Sequence, residues 1–147
     1  MVKRILCSAL GAAVCSVAWV ASPAEAAAAA CADPQRATNS STAVSILFGT
    51  TIKPLKLEVR RGKINGKWYG WARWSGHTRK GDTPALFVSF DGGKTGEVKC
   101  RRGVSESNGG PAWSGAYPES ASSKVKFRAI VTFSNGNDWR VGKTGWW

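Results

Sequence analysis

The chain has 147 residues and a formal net charge of +12, from 21 Lys and Arg against 9 Asp and Glu; it holds eight Trp, four Cys and one His. A single histidine with paired cysteines makes no zinc site, and no acidic calcium loop or phosphate-cradling glycine motif occurs, so metalloenzyme and nucleotide-binding classes drop out and no cofactor is expected. The basic excess suits an acidic partner surface and equally suits plain solubility.

In chain order, Lys3 and Arg4 precede an apolar run over 5–20. That run is about 16 residues, short of the ~20 that span a bilayer, so no membrane span is expected. Ser22-Pro23 ends it, and Ala24-Glu25-Ala26 has the A-x-A form of a cleavage site, with a second at Ala28-Ala29-Ala30. Residues 1–30 therefore read as a secretory signal and the protein as extracellular. A lipid-modified Cys31 is the alternative, but Ala28 stands where lipoprotein signals carry a large aliphatic residue. Cys7 and Cys15 leave with the signal, so Cys31 and Cys100 are expected to form one disulfide. What remains is about 117 residues with a charge near +11, enough for one core.

Residues 31–45 are polar and without apolar period, and read as an extended N-terminal arm. Residues 46–147 read as a single β domain. The first strand pattern, 44–48, is apolar and β-branched; 55–60 alternates with period two. Asn65-Gly66 is a type I′ hairpin signal, because both central positions need positive φ. The return strand is 67–74. Strands at 84–90 and 95–101 flank the turn Asp91-Gly92-Gly93-Lys94. Residues 103–123 read as a long loop carrying Trp113 and Tyr117. Residues 124–133 alternate again, Asn135-Gly136 turns the chain into 139–141, and it ends in Gly145-Trp146-Trp147. No 3.6 period persists after the signal. The fold expected is all-β: a small antiparallel β-sandwich or open barrel of six to eight strands with one disulfide.

His77 sits in a polar segment beside Arg79 and Lys80, with no carboxylate or nucleophile selected by spacing, so no catalytic residue is assigned. A ribonuclease pairing His77 with a glutamate is the enzymatic alternative, and an inhibitor presenting the long loop is another. Ser89 to Thr95 resembles an Asp-box hairpin, S-x-D-x-G-x-T-W, with Gly96 in place of its tryptophan; serine and aspartate would cap their own turn. Trp68, Gly70 and Trp74 share one strand face, and Tyr69, Trp71 and Arg73 the other. Such a strand is buried on both faces or offers one to a ligand. Lys124, Lys126 and Arg128 share a face, and Lys99 and Arg101 are expected to point away from Val98 and Cys100. If those strands are neighbours, they form a basic stripe. Candidate partner-binding residues are Arg36, Trp71, Arg73, Trp113, Tyr117, Lys124, Lys126, Arg128 and Trp139.

Residues 66–73 (GKWYGWAR), Gly81-Asp82, Ser89 to Thr95, Cys100, Phe127-Arg128-Ala129 and Trp146-Trp147 resemble a group of small secreted actinobacterial proteins, over about residues 50–147. Members of that group often carry a further cysteine where Ile130 stands, so a second disulfide is lost here. The layout is also similar to the adaptor subunit of umbrella toxin particles, secreted antibacterial complexes of interbacterial competition. That resemblance implies an N-terminal strap docking to a larger toxin subunit and a lectin-like subunit. The expected function is a secreted, non-enzymatic adaptor for protein partners. The alternative is a carbohydrate or cell-wall binding module, or a small antimicrobial protein, with an anionic cell-wall polymer or glycan as partner. Nucleic acid is not expected as a partner.

Overall fold

The protein is described by a computed structural model over residues 31–49, 54–107 and 109–147; the expected signal, 1–30, lies outside the described residues. Nine strands form there, and all their ladders are antiparallel. They are β1 (Thr38–Gly49), β2 (Pro54–Ile64), β3 (Lys67–Ser75), β4 (Thr83–Ser89), β5 (Glu97–Arg101), β6 (Ala112–Trp113), β7 (Tyr117–Pro118), β8 (Lys126–Ser134) and β9 (Trp139–Lys143). One sheet runs β1-β2-β3-β6, with β7 also on β3; the other runs β5-β4-β8-β9. β2 and β3 pack across onto β4 and β8, which makes a sandwich.

Alternation explains the core. Leu57 and Val59 of β2, Ala72 and Trp74 of β3, Leu86 and Val88 of β4, and Phe127, Ala129, Val131 and Phe133 of β8 all point between the sheets and are buried. Gly70 lies on the same face by alternation, and Phe127 packs directly on it: a Cβ there would stand 3.0 Å from the ring. At one end Trp74 meets Phe133 at 5.1 Å and Phe48 at 6.0 Å between centroids. Phe48 also reaches β9, where only a glycine at 142 leaves room for its ring. The other end is closed by Arg61, whose guanidinium lies 4.2 Å from the Trp68 ring centre and 5.1 Å from that of Trp147, while it donates to both carboxylate oxygens of Glu119.

The turn chemistry matches its sequence signals. Asn65 and Gly66 take φ of 51° and 78°. In the Asp-box hairpin Ser89 Oγ donates to Asp91 Oδ1 and accepts from the Gly93 N–H. Asp91 in turn accepts from the N–H of Lys94 and from the N–H and hydroxyl of Thr95. These bonds, that of Ser89 foremost, hold the Asp91 carboxyl well below the usual carboxylate range. The ring missing at Gly96 arrives from the far end of the chain. Trp146 lies over Gly93 and Gly96, so that a Cβ at 96 would stand 2.5 Å from it.

Four details differ from the sequence reading. The arm does not run to residue 45: Thr38 onward is the edge strand β1, where the ladder to β2 satisfies one side of the backbone and the polar side chains stay exposed to water. Residues 31–37 lie on the domain, with Pro34 buried and Ala32 in a backbone bridge to Ala116. The loop 103–123 contains β6 and β7, which extend the first sheet. In β5 a bulge lies between the Val98 and Cys100 pairings, so Cys100 faces Leu86 in the core while Val98 sits opposite Phe87, 44% exposed. Val98 and Cys100 therefore do not share a face.

The Cys31–Cys100 disulfide forms as expected, with 5.8 Å between Cα atoms. It ties the N-terminal segment to β5. Serine at both positions should lower stability by about 4 kcal/mol, the loop-entropy value for a separation of 69 residues. Guanidinium unfolding measures this; an unchanged midpoint would show that the Ala32 and Pro34 contacts hold the segment without the bond.

Candidate partner-binding surfaces

On the outer face of the first sheet, Glu58 sits directly opposite Arg73 of β3 and Ser45 of β1. Its side chain is 1% exposed, yet it is the centre of a charge cluster. Lys56 Nζ lies 2.9 Å from Oε1, Arg73 donates to Oε2 at 3.1 Å, and the Thr42 hydroxyl donates to Oε1 at 2.7 Å. Arg60 donates to that same Thr42 oxygen. Burial pushes the Glu58 carboxyl upward, but the Lys56 and Thr42 hydrogen bonds and the charges of Lys56 and Arg73 outweigh it and hold the group below its ordinary range.

Beside that cluster, Trp71 is 3% exposed. Ala32, Ala37, Tyr69 and Trp113 cover it together with Ala116. Both faces of β3 are thus buried, and Trp71 is no ligand platform. Arg73 is engaged by Glu58, and Trp113, opposite it in β6, is half-buried. Tyr117 packs edge-on to Phe127 in the core. Arg36, in the short 3-10 turn Pro34–Arg36, is exposed.

The second sheet holds the other candidates. β4 lies between β5 and β8, so Lys99 and Arg101 are not adjacent to Lys126 and Arg128. The intervening outward positions, Phe87 and Ala85, are apolar, and the expected basic stripe is divided. Arg128 stacks on Trp146 with its guanidinium carbon 4.2 Å from the ring centre. Lys99 pairs with Glu97. Lys124 is exposed in the turn before β8, and Lys126 is half-buried opposite Ser89. Trp139 alone of the candidate aromatics is open to solvent, at 62%, beside Val141 at 68%.

Two features had no sequence signal. The first is the outer edge of β1, which no described strand pairs. Its first half is polar and carries two register shifts. Its second half, Val44-Ser45-Ile46-Leu47-Phe48, is regular and uncharged, with Ile46 39% and Leu47 65% exposed. The edge strands of the other sheet carry the usual guards: Glu97, Lys99, Arg101 and a bulge in β5, Arg140 and Lys143 in β9. The second feature is a cleft of about 560 Å³ at the Trp74 end of the sandwich, where β1, the β3–β4 loop and the β8–β9 hairpin meet. No three His, Cys, Asp or Glu side chains converge to hold a metal among the described residues.

Replacing Glu58 by Gln should cost about 1–3 kcal/mol at neutral pH, since three cations lose their shared anion while remaining partly hydrated. A carboxyl lowered by folding stabilises above its unfolded value, and that contribution disappears as pH falls through the folded one. The variant should therefore show a flatter acid limb in unfolding measured against pH; an acid limb parallel to wild type would remove Glu58 from this role.

No protein-family model matches the chain, and no curated protein or solved structure shows significant similarity to it.

Proposed function

We propose that the protein is a secreted, non-enzymatic binding protein that acts as an adaptor, taking a strand of a partner protein onto the free edge of β1. The observation that carries this reading is the uncharged, regular half-strand Val44–Phe48 at an edge that no described strand pairs. Natural edges are blunted by charge, proline or bulges, and the one that is not serves as a template for an added strand. Main-chain hydrogen bonds supply the pairing, and Ile46 and Leu47 supply apolar contact on the two faces. The adaptor role follows the resemblance to the bridging subunit of an extracellular antibacterial particle, with a toxin subunit and a lectin-like subunit as its partners.

Trp139 supports the second reading, a glycan or cell-wall binding module. Its ring is largely open, it packs against Gly81, and Lys143 shares its strand face for an anionic polymer.

Tagged mature protein recovered from the native culture medium should carry a larger secreted protein with it, and the amides of 44–48 should gain protection from hydrogen exchange in that complex. Leu47→Lys, on the solvent face, should remove the partner and leave the melting temperature within about 2 °C. Wild-type protein that elutes alone yet is retained on a glycan column through Trp139 would replace the adaptor by the binding module.

A further inference from the structure

The cleft beside Trp74 is lined by both apolar and basic residues. Phe133 is buried and Phe48 and Leu55 half-buried in its lining, while His77, Arg79 and Arg140 are among its exposed members. Its volume, about 560 Å³, is that of a site for a small ligand or one large side chain. Asp82 is the acidic residue of the lining among the described residues, and it is 2% exposed. Its carboxylate is already occupied: Oδ2 accepts from Trp74 Nε1 and from the Arg79 N–H, both at 3.0 Å, and Oδ1 faces the Ser134 N–H. Neither Arg79 nor Arg140 has a carboxylate within ion-pair distance among the described residues. Arg79 and Arg140 therefore line a largely apolar hollow with no ion-pair partner among the described residues, which is the complement of an anion attached to an apolar body.

The position of the cleft says which anion. Its wall includes Phe48 and Gly49, the last two residues of β1, so the free edge leads into it. A partner strand lying antiparallel to β1 would bring its N-terminal ammonium toward Arg79 and Arg140 and be repelled. A strand lying parallel to β1 brings its C-terminus there. We propose that the cleft binds the C-terminus of a partner polypeptide, with the terminal carboxylate between Arg79 and Arg140 and a large apolar final side chain on Phe48, Leu55 and Phe133. This deepens the adaptor reading and rests on the β1 edge as its docking strand.

The test uses N-acetylated hexapeptides ending in Leu, Ile or Phe, as free acids and as C-terminal amides, titrated into the mature protein by calorimetry. At least one free acid should bind, its amide should bind at least tenfold more weakly, and Arg79→Ala with Arg140→Ala should remove the preference. Both arginines are exposed, and circular dichroism with a melting curve checks that the double variant is folded. Equal affinity for acid and amide, or no binding of any free acid at millimolar concentration, would overturn the proposal. So would decanoate binding as tightly as the best peptide, which would assign the cleft to free fatty acids. If the peptides fail while partner capture still depends on Leu47, the cleft proposal falls and the adaptor reading stands. If the free acids bind through the arginines while capture is indifferent to Leu47, the carboxylate site stands and the β1 edge does not.

Discussion

A fully buried indole needs an acceptor for its N–H, and much of one end of this protein is arranged around that need. Trp74 is 0% exposed, and the carboxylate of Asp82 meets its Nε1. The same carboxylate receives the Arg79 N–H and approaches the Ser134 N–H, so it joins the β3–β4 loop to the end of β8, while its bond to Trp74 reaches the other sheet. Phe48 and Phe133 then close on the indole face. The cleft is what remains open between these three anchored segments, and Arg79 lines it because its own backbone is fixed by Asp82.

Trp71 shows the opposite solution. It is nearly as buried, but its Nε1 has no acceptor among the described residues. The residues 31–37 and the segment around Ala116 lie over it, tied down by the disulfide and the Ala32 bridge. This covering turns the outer face of the first sheet into a second small core. Among the described residues, positive charge is held in several separate contacts. Part is gathered around Glu58, Arg61 is held between two tryptophans and Glu119, and Arg128 lies on Trp146.

The two C-terminal tryptophans do separate work although they are adjacent. Backbone hydrogen bonds between Trp147 and Phe127 run the tail alongside β8. Alternation then sends Trp147 inward, stacked on Phe127, and Trp146 outward onto the Asp-box turn and Arg128. A hairpin that has Gly96 in place of the motif's tryptophan is thereby roofed by a tryptophan of the tail that runs alongside β8.

Local chemistry was readable from the residues alone. Period-two alternation marked the long strands, and Asn65-Gly66 and Ser89 to Thr95 marked their turns. Each of these depends on neighbours within a few residues, so no knowledge of the fold is required. Strand order is different: that β4 separates the basic residues of β5 from those of β8, that a bulge turns Val98 outward, and that a polar stretch can be an edge strand all depend on what lies beside each strand. Trp71 and Trp74 are the same residue type three positions apart, and the sequence placed them on opposite faces. Only the packed sheets decided that both are buried, one by an opposing sheet and the other by the chain's own N-terminal segment. The β1 edge and the Arg79–Arg140 cleft are likewise surfaces that the described elements leave open, and exposure of that kind is set by how every element packs.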